Sequence, residues 1–174
     1  MLNAEKVIKR RFVIKSLPEP LKPLDDHLQI FENYISGTRL RLKSLRKPSK
    51  DDRRWFLEQR EPTGPGVTSV NRLRLDRSEY EALRPLRGRE IRKNRYEFEH
   101  AGTVFEIDVF LGDLWGLNLA AVRFAALADA EAFEPPAFCL LEVTDNPSFE
   151  GSRLVDLDFP AVRSEFVKAK GESP

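Results

Sequence analysis

Along several stretches of this chain, apolar and charged residues alternate one by one, and in the polar phase the charge is repeatedly positive. TRLRLK (Thr38 to Lys43) puts Arg39, Arg41 and Lys43 on one face of an extended strand and Leu40 and Leu42 on the other, because successive strand side chains point to opposite faces. Lys9 and Arg11 in IKRRFVI, Arg72 and Arg74 in NRLRL, and Lys93 and Arg95 in RKNRYEF repeat the pattern. One such stripe is the ordinary solvated face of an amphipathic strand. Several in phase restrict the fold further. Closed into a barrel with the cations inward, they require a wet lumen with counter-anions, since unpaired charges are not kept in a dry core. A phosphate chain meets that requirement. Guanidinium groups match phosphate oxygens in pairs, and at about 1.5–3 kcal/mol per charge-assisted bond, about four or five of them support micromolar binding. With the stripes turned outward, the argument has no force.

Period-two patterning covers Val7 to Ile14, Thr38 to Leu45, Trp55 to Arg60, Ser69 to Leu75, Arg92 to His100, Val104 to Phe110 and Leu117 to Phe124, which are read as strands. Proline and glycine clusters at Pro18 to Pro23, Pro62 to Gly66 and Pro135 to Pro136 punctuate them as loops. His100-Ala101-Gly102-Thr103 lies between two β-prone runs and predicts an antiparallel hairpin with Gly102 at positive φ. Ser78 with Glu81 three residues on resembles a capping box that opens a short helix. A second helix is expected over about 160–170, with Pro160 in its first turn and Val162, Phe166 and Val167 on one face. Many strands and few helices give an α+β class, mainly an antiparallel β-barrel with a few short helices. With 174 residues and no linker or repeat, one domain over 1–174 is expected.

The remaining residues narrow the function. Lys plus Arg number 29 against 28 Asp plus Glu, so no overall field draws the protein to DNA or anionic lipid, and any anion preference is local. No apolar run is long enough to cross a membrane, the start of the chain lacks the apolar run of a signal peptide, and Cys139 has no intrachain partner; a cytoplasmic protein is expected. Cys139, between Phe138 and Leu140, is expected to pack and His100 to sit in a solvated turn; Trp115, beside a glycine turn, has no assigned role, packing being the commoner one. His27 has no catalytic context. The run Lys43 to Arg54 is basic, but Asp51 and Asp52 interrupt it and no aromatic platform is interleaved; it reads as a solvated loop and argues against nucleic acid as a partner.

The order of these motifs resembles the CYTH superfamily, which includes thiamine triphosphatases, inorganic triphosphatases and a class of adenylyl cyclases. The resemblance spans most of the chain. YEFEHAGTVFEIDVFLGDLWGLNLAAVRF (96–124) carries it most clearly, with IFENYI, TRLRLK, WFLEQR, the bases Lys93 and Arg95, and EVTDNPSF in the family's order. It implies a tunnel-shaped antiparallel barrel in which basic residues grip a triphosphate while glutamates hold divalent metal ions. Arg11, Arg39, Arg41, Arg60, Lys93 and Arg95 fall where phosphate-gripping cations are expected.

The acidic half departs from that pattern. The N-terminal ExExK signature falls on Val7, Lys9 and Arg11; a second glutamate pair falls near Val70 and Arg72 in SVNRLRL; the late AExE-type strand has Ala121 and Arg123 where carboxylates are usual. Of the usual positions, Glu106 and Asp108 of EIDVF remain as metal candidates. A cation in place of a carboxylate both removes a ligand and repels the ion, by roughly 4 kcal/mol at 4 Å and an effective dielectric of about 20. The expectation is a non-catalytic relative that needs no metal cofactor and binds a triphosphate, nucleotide or polyphosphate through Lys9, Arg11, Arg39, Arg41, Lys43, Arg60, Arg72, Lys93, Arg95 and Arg123. The alternatives are a triphosphatase or nucleotide cyclase using magnesium or manganese at a shifted site among Glu58, Glu97, Glu99, Glu106 and Asp108, and a scaffold or interaction module whose tunnel charges pair internally.

Overall fold

The computed structural model describes residues 4–171. Strands β1 (Glu5–Val13), β2 (Leu28–Ile35), β3 (Leu40–Lys47), β4 (Asp52–Gly64), β5 (Val67–Leu75), β6 (Gly88–His100), β7 (Thr103–Phe110) and β8 (Asn118–Phe124) pair antiparallel in the order β5-β4-β3-β2-β6-β7-β8-β1. Pairing of β1 with β5 closes them into an eight-stranded barrel, and short β9 (Leu141–Glu142) adds to β1. On one edge β1 pairs with β8 from Ile8 to Val13. On its other edge Glu5 to Ile8 pair with β5, and the strands then part: the amide of Lys9 donates to the Gly66 carbonyl and that of Arg11 to the Thr144 hydroxyl before β9 takes over at Phe12. The wall at that point is completed by residues 143–145 and the β4–β5 turn.

The alternation in sequence is what sorts the two faces. Leu42 and Leu75 face outward and are covered by α1 (Arg77–Leu83) through Tyr80 and Leu83. Ile14, Tyr96, Phe98, Phe105, Ile107 and Val122 form a second outer cluster beneath Phe133 and Phe138, with α2 (Leu127–Ala132) alongside. A third cluster closes one end of the barrel: Ile91, Phe110 and Leu119 meet Phe149, Leu154 of α3 (Gly151–Leu154) and Val162 of α4 (Phe159–Ala169). Gly151 abuts Tyr34 so closely that a Cβ would lie 1.9 Å from its hydroxyl.

Several expectations hold. The β6–β7 hairpin turns at Ala101 and Gly102, both at positive φ, and α4 has Pro160 in its first turn with Asp158 capping the Ala161 amide at 3.0 Å. Others need correction. The helix after β5 starts earlier than Ser78: Asp76 is its cap, accepting from the Glu79 amide at 2.9 Å while the Glu79 carboxylate accepts from the Asp76 amide. An aspartate directly after the last strand residue reaches those amides first, and the Ser78 hydroxyl donates to the same carboxylate. Lys43 to Arg54 is two strand ends joined by a tight turn at Pro48–Lys50, not a loop. Trp115 is 73 % exposed. β2, α2 and α3 add to the elements read from the sequence. No helix among the described residues is long and apolar enough to cross a membrane.

Candidate functional site

Strand register decides which charges share the lumen. Glu32 lies opposite Lys43, Tyr34 opposite Arg41, Arg41 opposite Glu58, and Glu58 opposite Arg72. Across the barrel Arg95 lies opposite Asp108, Glu106 opposite Ala121, and Arg11 and Lys9 opposite Ala121 and Arg123. The cationic stripes of β1, β3, β5, β6 and β8 thus face inward together. Arg39 precedes β3 and stands at the mouth, 67 % exposed and 3.6 Å from Glu61.

Four carboxylates cross the lumen among these cations. Arg41 donates from Nε to Glu58 at 2.8 Å and reaches Glu32 at 2.9 Å; Arg72 donates to Glu58 at 2.7 Å. Lys43 lies 3.6 Å from Glu32 and 3.8 Å from Glu58. On the opposite wall Arg95 grips Asp108 with two bonds of 2.6 and 2.8 Å and lies 3.1 Å from Glu106; Lys93 is 2.9 Å from Asp108, and Arg123 3.1 Å from Glu106. Burial disfavours the Glu58 carboxylate, but the charges of Arg41, Lys43 and Arg72 outweigh it and hold its pKa at about 2. Asp108 and Glu32 are pulled down in the same way by Arg95 and Lys93 and by Arg41 and Lys93. Lys43 goes the other way: burial lowers it to about 7 despite its carboxylate neighbours.

Lys9 and Arg60 stand apart from this belt. Among the described residues Lys9 and Arg60 have no carboxylate within ion-pair distance, and the buried Nε of Arg60 has no hydrogen-bond partner. Burial, reinforced by Arg60, Arg11, Arg95 and Lys93, drives the Lys9 ammonium well below its ordinary pKa, and burial with Arg41 lowers Arg60. Both line a cavity of about 310 Å³ with Arg39, Arg41 and Lys93, between the belt and the apolar end cluster. Arg11 also borders it, but its guanidinium is bound: one nitrogen donates to the Phe149 carbonyl at 2.9 Å, another to the Thr144 carbonyl at 3.0 Å and to Glu150. Lys43, Arg72, Arg95 and Arg123 belong to the belt and do not line the cavity.

Glu32 is the lumen residue that the sequence reading did not single out; alternation within IFENYI places Ile30, Glu32 and Tyr34 on one face and is the signal for it. The carboxylates as arranged do not suit a divalent ion. Hard cations take several oxygens turned toward them. Here Glu32, Glu58, Glu106 and Asp108 turn theirs to arginine and lysine, and no group of three or more potential metal-ligating His, Cys, Asp or Glu side chains is gathered among the described residues. Cys139 is half-buried in the outer aromatic cluster, and burial pushes its thiol up to about 11. His100 stacks on Phe98 at the hairpin, away from the lumen.

A closed, eight-stranded antiparallel barrel with a charged lumen defines a tunnel-barrel protein. No family model matches the sequence. The inorganic triphosphatase of Nitrosomonas europaea is 36% identical over 84 residues, 47% of this chain and 56% of that protein, so the chain spans about half the length of the curated relative it matches. The crystal structure of the inorganic triphosphatase NE1496 superposes with a TM-score of 0.58 at 25% identity, covering 86% of this chain and 93% of that one. The barrel matches the CYTH tunnel fold that the order of motifs resembles.

Proposed function

We propose that this protein binds a triphosphate-type polyanion in the barrel cavity without a metal ion and without hydrolysing it. The observation that carries this reading is the pair Lys9 and Arg60: two half-buried cations lining a cavity, with no carboxylate partner among the described residues and, for Arg60, a buried Nε without a hydrogen-bond partner. An uncompensated buried charge is costly, and an anionic ligand is what removes the cost. Where the family resemblance expects a metal-binding acid, Lys9 supplies fixed positive charge at the cavity, so phosphate oxygens are neutralised by side chains instead of ions, while Arg72 and Arg123 pair with Glu58 and Glu106. Arg39 at the mouth and Arg41 and Lys93 on the inner wall extend the cationic lining toward a phosphate chain. The single cysteine accords with a reducing cytoplasm as the place of action.

A second reading, a triphosphatase dependent on magnesium or manganese, is favoured by the likeness to proteins named inorganic triphosphatases. It requires the lumen acids, Glu106 and Asp108 among them, to leave their arginine and lysine partners. Phosphate release from tripolyphosphate, assayed with magnesium, with manganese and with excess chelator, separates the two. The first reading predicts no turnover in any condition; metal-dependent release of phosphate at enzymatic rates contradicts it and establishes the second.

A further inference from the structure

We propose that the cavity is a blind pocket that takes the terminal phosphates of a linear phosphate chain end-on, and that no chain threads the barrel; this rests on the reading of the site as a phosphate receptor. On the side facing the other end of the barrel, the lumen is filled. Glu58 is wholly buried, Arg41 is 8 % exposed and Glu32 3 %, and Ile30, 1 % exposed, lies one inward position beyond Glu32 on β2. Arg72 and Arg123, the belt's members away from the cavity, are by contrast 37 % and 44 % exposed. The opposite wall is apolar: Phe110, Phe149 and Leu154 line the cavity and belong to the end cluster closed by α3 and α4. The cavity reaches solvent past Arg39, Pro62 and Gly64, all exposed.

A volume of about 310 Å³ confines the ligand to a short run of phosphate groups. The terminal phosphate of a chain carries one more ionisable oxygen than an internal one, and so more charge in less space. Lys9 and Arg60, the cations without carboxylate partners, match such a group better than the single charge of an internal phosphate. An internal stretch would have to enter and leave by the same mouth.

Competition against tripolyphosphate, followed by calorimetry in excess chelator, tests this. Long linear polyphosphate is expected to compete in proportion to its concentration of chain termini, so doubling the chain length at constant total phosphate halves its potency. Cyclic trimetaphosphate, which has no terminus, and a chain with both terminal phosphates capped as amides are expected to compete at least tenfold more weakly. A capped chain that competes as well as the uncapped one overturns the end-on inference and leaves the receptor reading standing. Failure of tripolyphosphate itself to bind overturns both.

Discussion

Lys9 and Arg60 separate a binding role from a structural one because the two predict opposite effects of removing the charge. A cation that holds the barrel together is missed when it is replaced; a buried cation without a counter-charge is a burden on folding that only a ligand relieves. Lys9→Met and Arg60→Met are therefore expected to leave the melting temperature unchanged or higher while weakening tripolyphosphate about ten- to a hundredfold, the equivalent of one charge-assisted bond. Thermal melts paired with titrations check this, and a lower melting temperature with unchanged affinity contradicts it. Glu58 is the counterpart. It holds Arg41 and Arg72 and approaches Lys43, so Glu58→Gln strands these cations and is expected to cost about 3–5 kcal/mol in denaturant unfolding.

Among the elements, α1 and the segment over 143–154 are held by identifiable contacts. Asp76 satisfies the first turn of α1, and Asp76→Ala is expected to cost about 1 kcal/mol, measured by urea unfolding. Arg11 ties the 143–150 segment to β1 through carbonyls and Glu150; Arg11→Met is expected to speed amide hydrogen exchange over 143–150 while the β6–β7 hairpin remains protected. The elements legible in the sequence were those whose two faces differ in polarity. TRLRLK and EIDVF sort cleanly, whereas β2 carries Ile30, Glu32 and Tyr34 inward and Gln29, Phe31 and Asn33 outward, so neither face is uniformly apolar and period two does not stand out. α3 has four residues and no side-chain cap, too little for a periodic signal. In the site, alternation put the cations of each stripe on one face but did not say which face, and Arg60 came from the family resemblance. Their division into belt and free pair did not follow from alternation, because it depends on register between strands far apart in sequence: Glu58 meets Arg41 and Arg72 only through the β3–β4 and β4–β5 pairings, and Lys9 lacks a carboxylate because Arg123, not an acid, lies opposite it.

For the molecule as a whole, the belt makes folding stability acid-sensitive. Glu58 has a folded pKa of about 2 against an ordinary value of 4.5, so its contribution is fully present above pH 4.5 and is lost as pH falls toward 2. That shift corresponds to about 3 kcal/mol, and Asp108 and Glu32 add in the same direction. Denaturant midpoints measured from pH 6 downward are expected to fall steeply in this window, and Glu58→Gln to flatten the slope. Ligand binding carries the opposite proton linkage. Lys9, held well below its ordinary pKa in the free protein, is drawn back to the charged form by a polyanion, so binding is expected to take up protons above the free protein's Lys9 pKa and to weaken as pH rises. The most direct measurement is calorimetric titration of tripolyphosphate in excess chelator, with the native protein and with Lys9→Met/Arg60→Met side by side. The account predicts saturable, salt-sensitive binding to the native chain that is lost in the double variant while its fold is retained; equal binding by both proteins, or binding to the native chain that appears only when magnesium is restored, would contradict it.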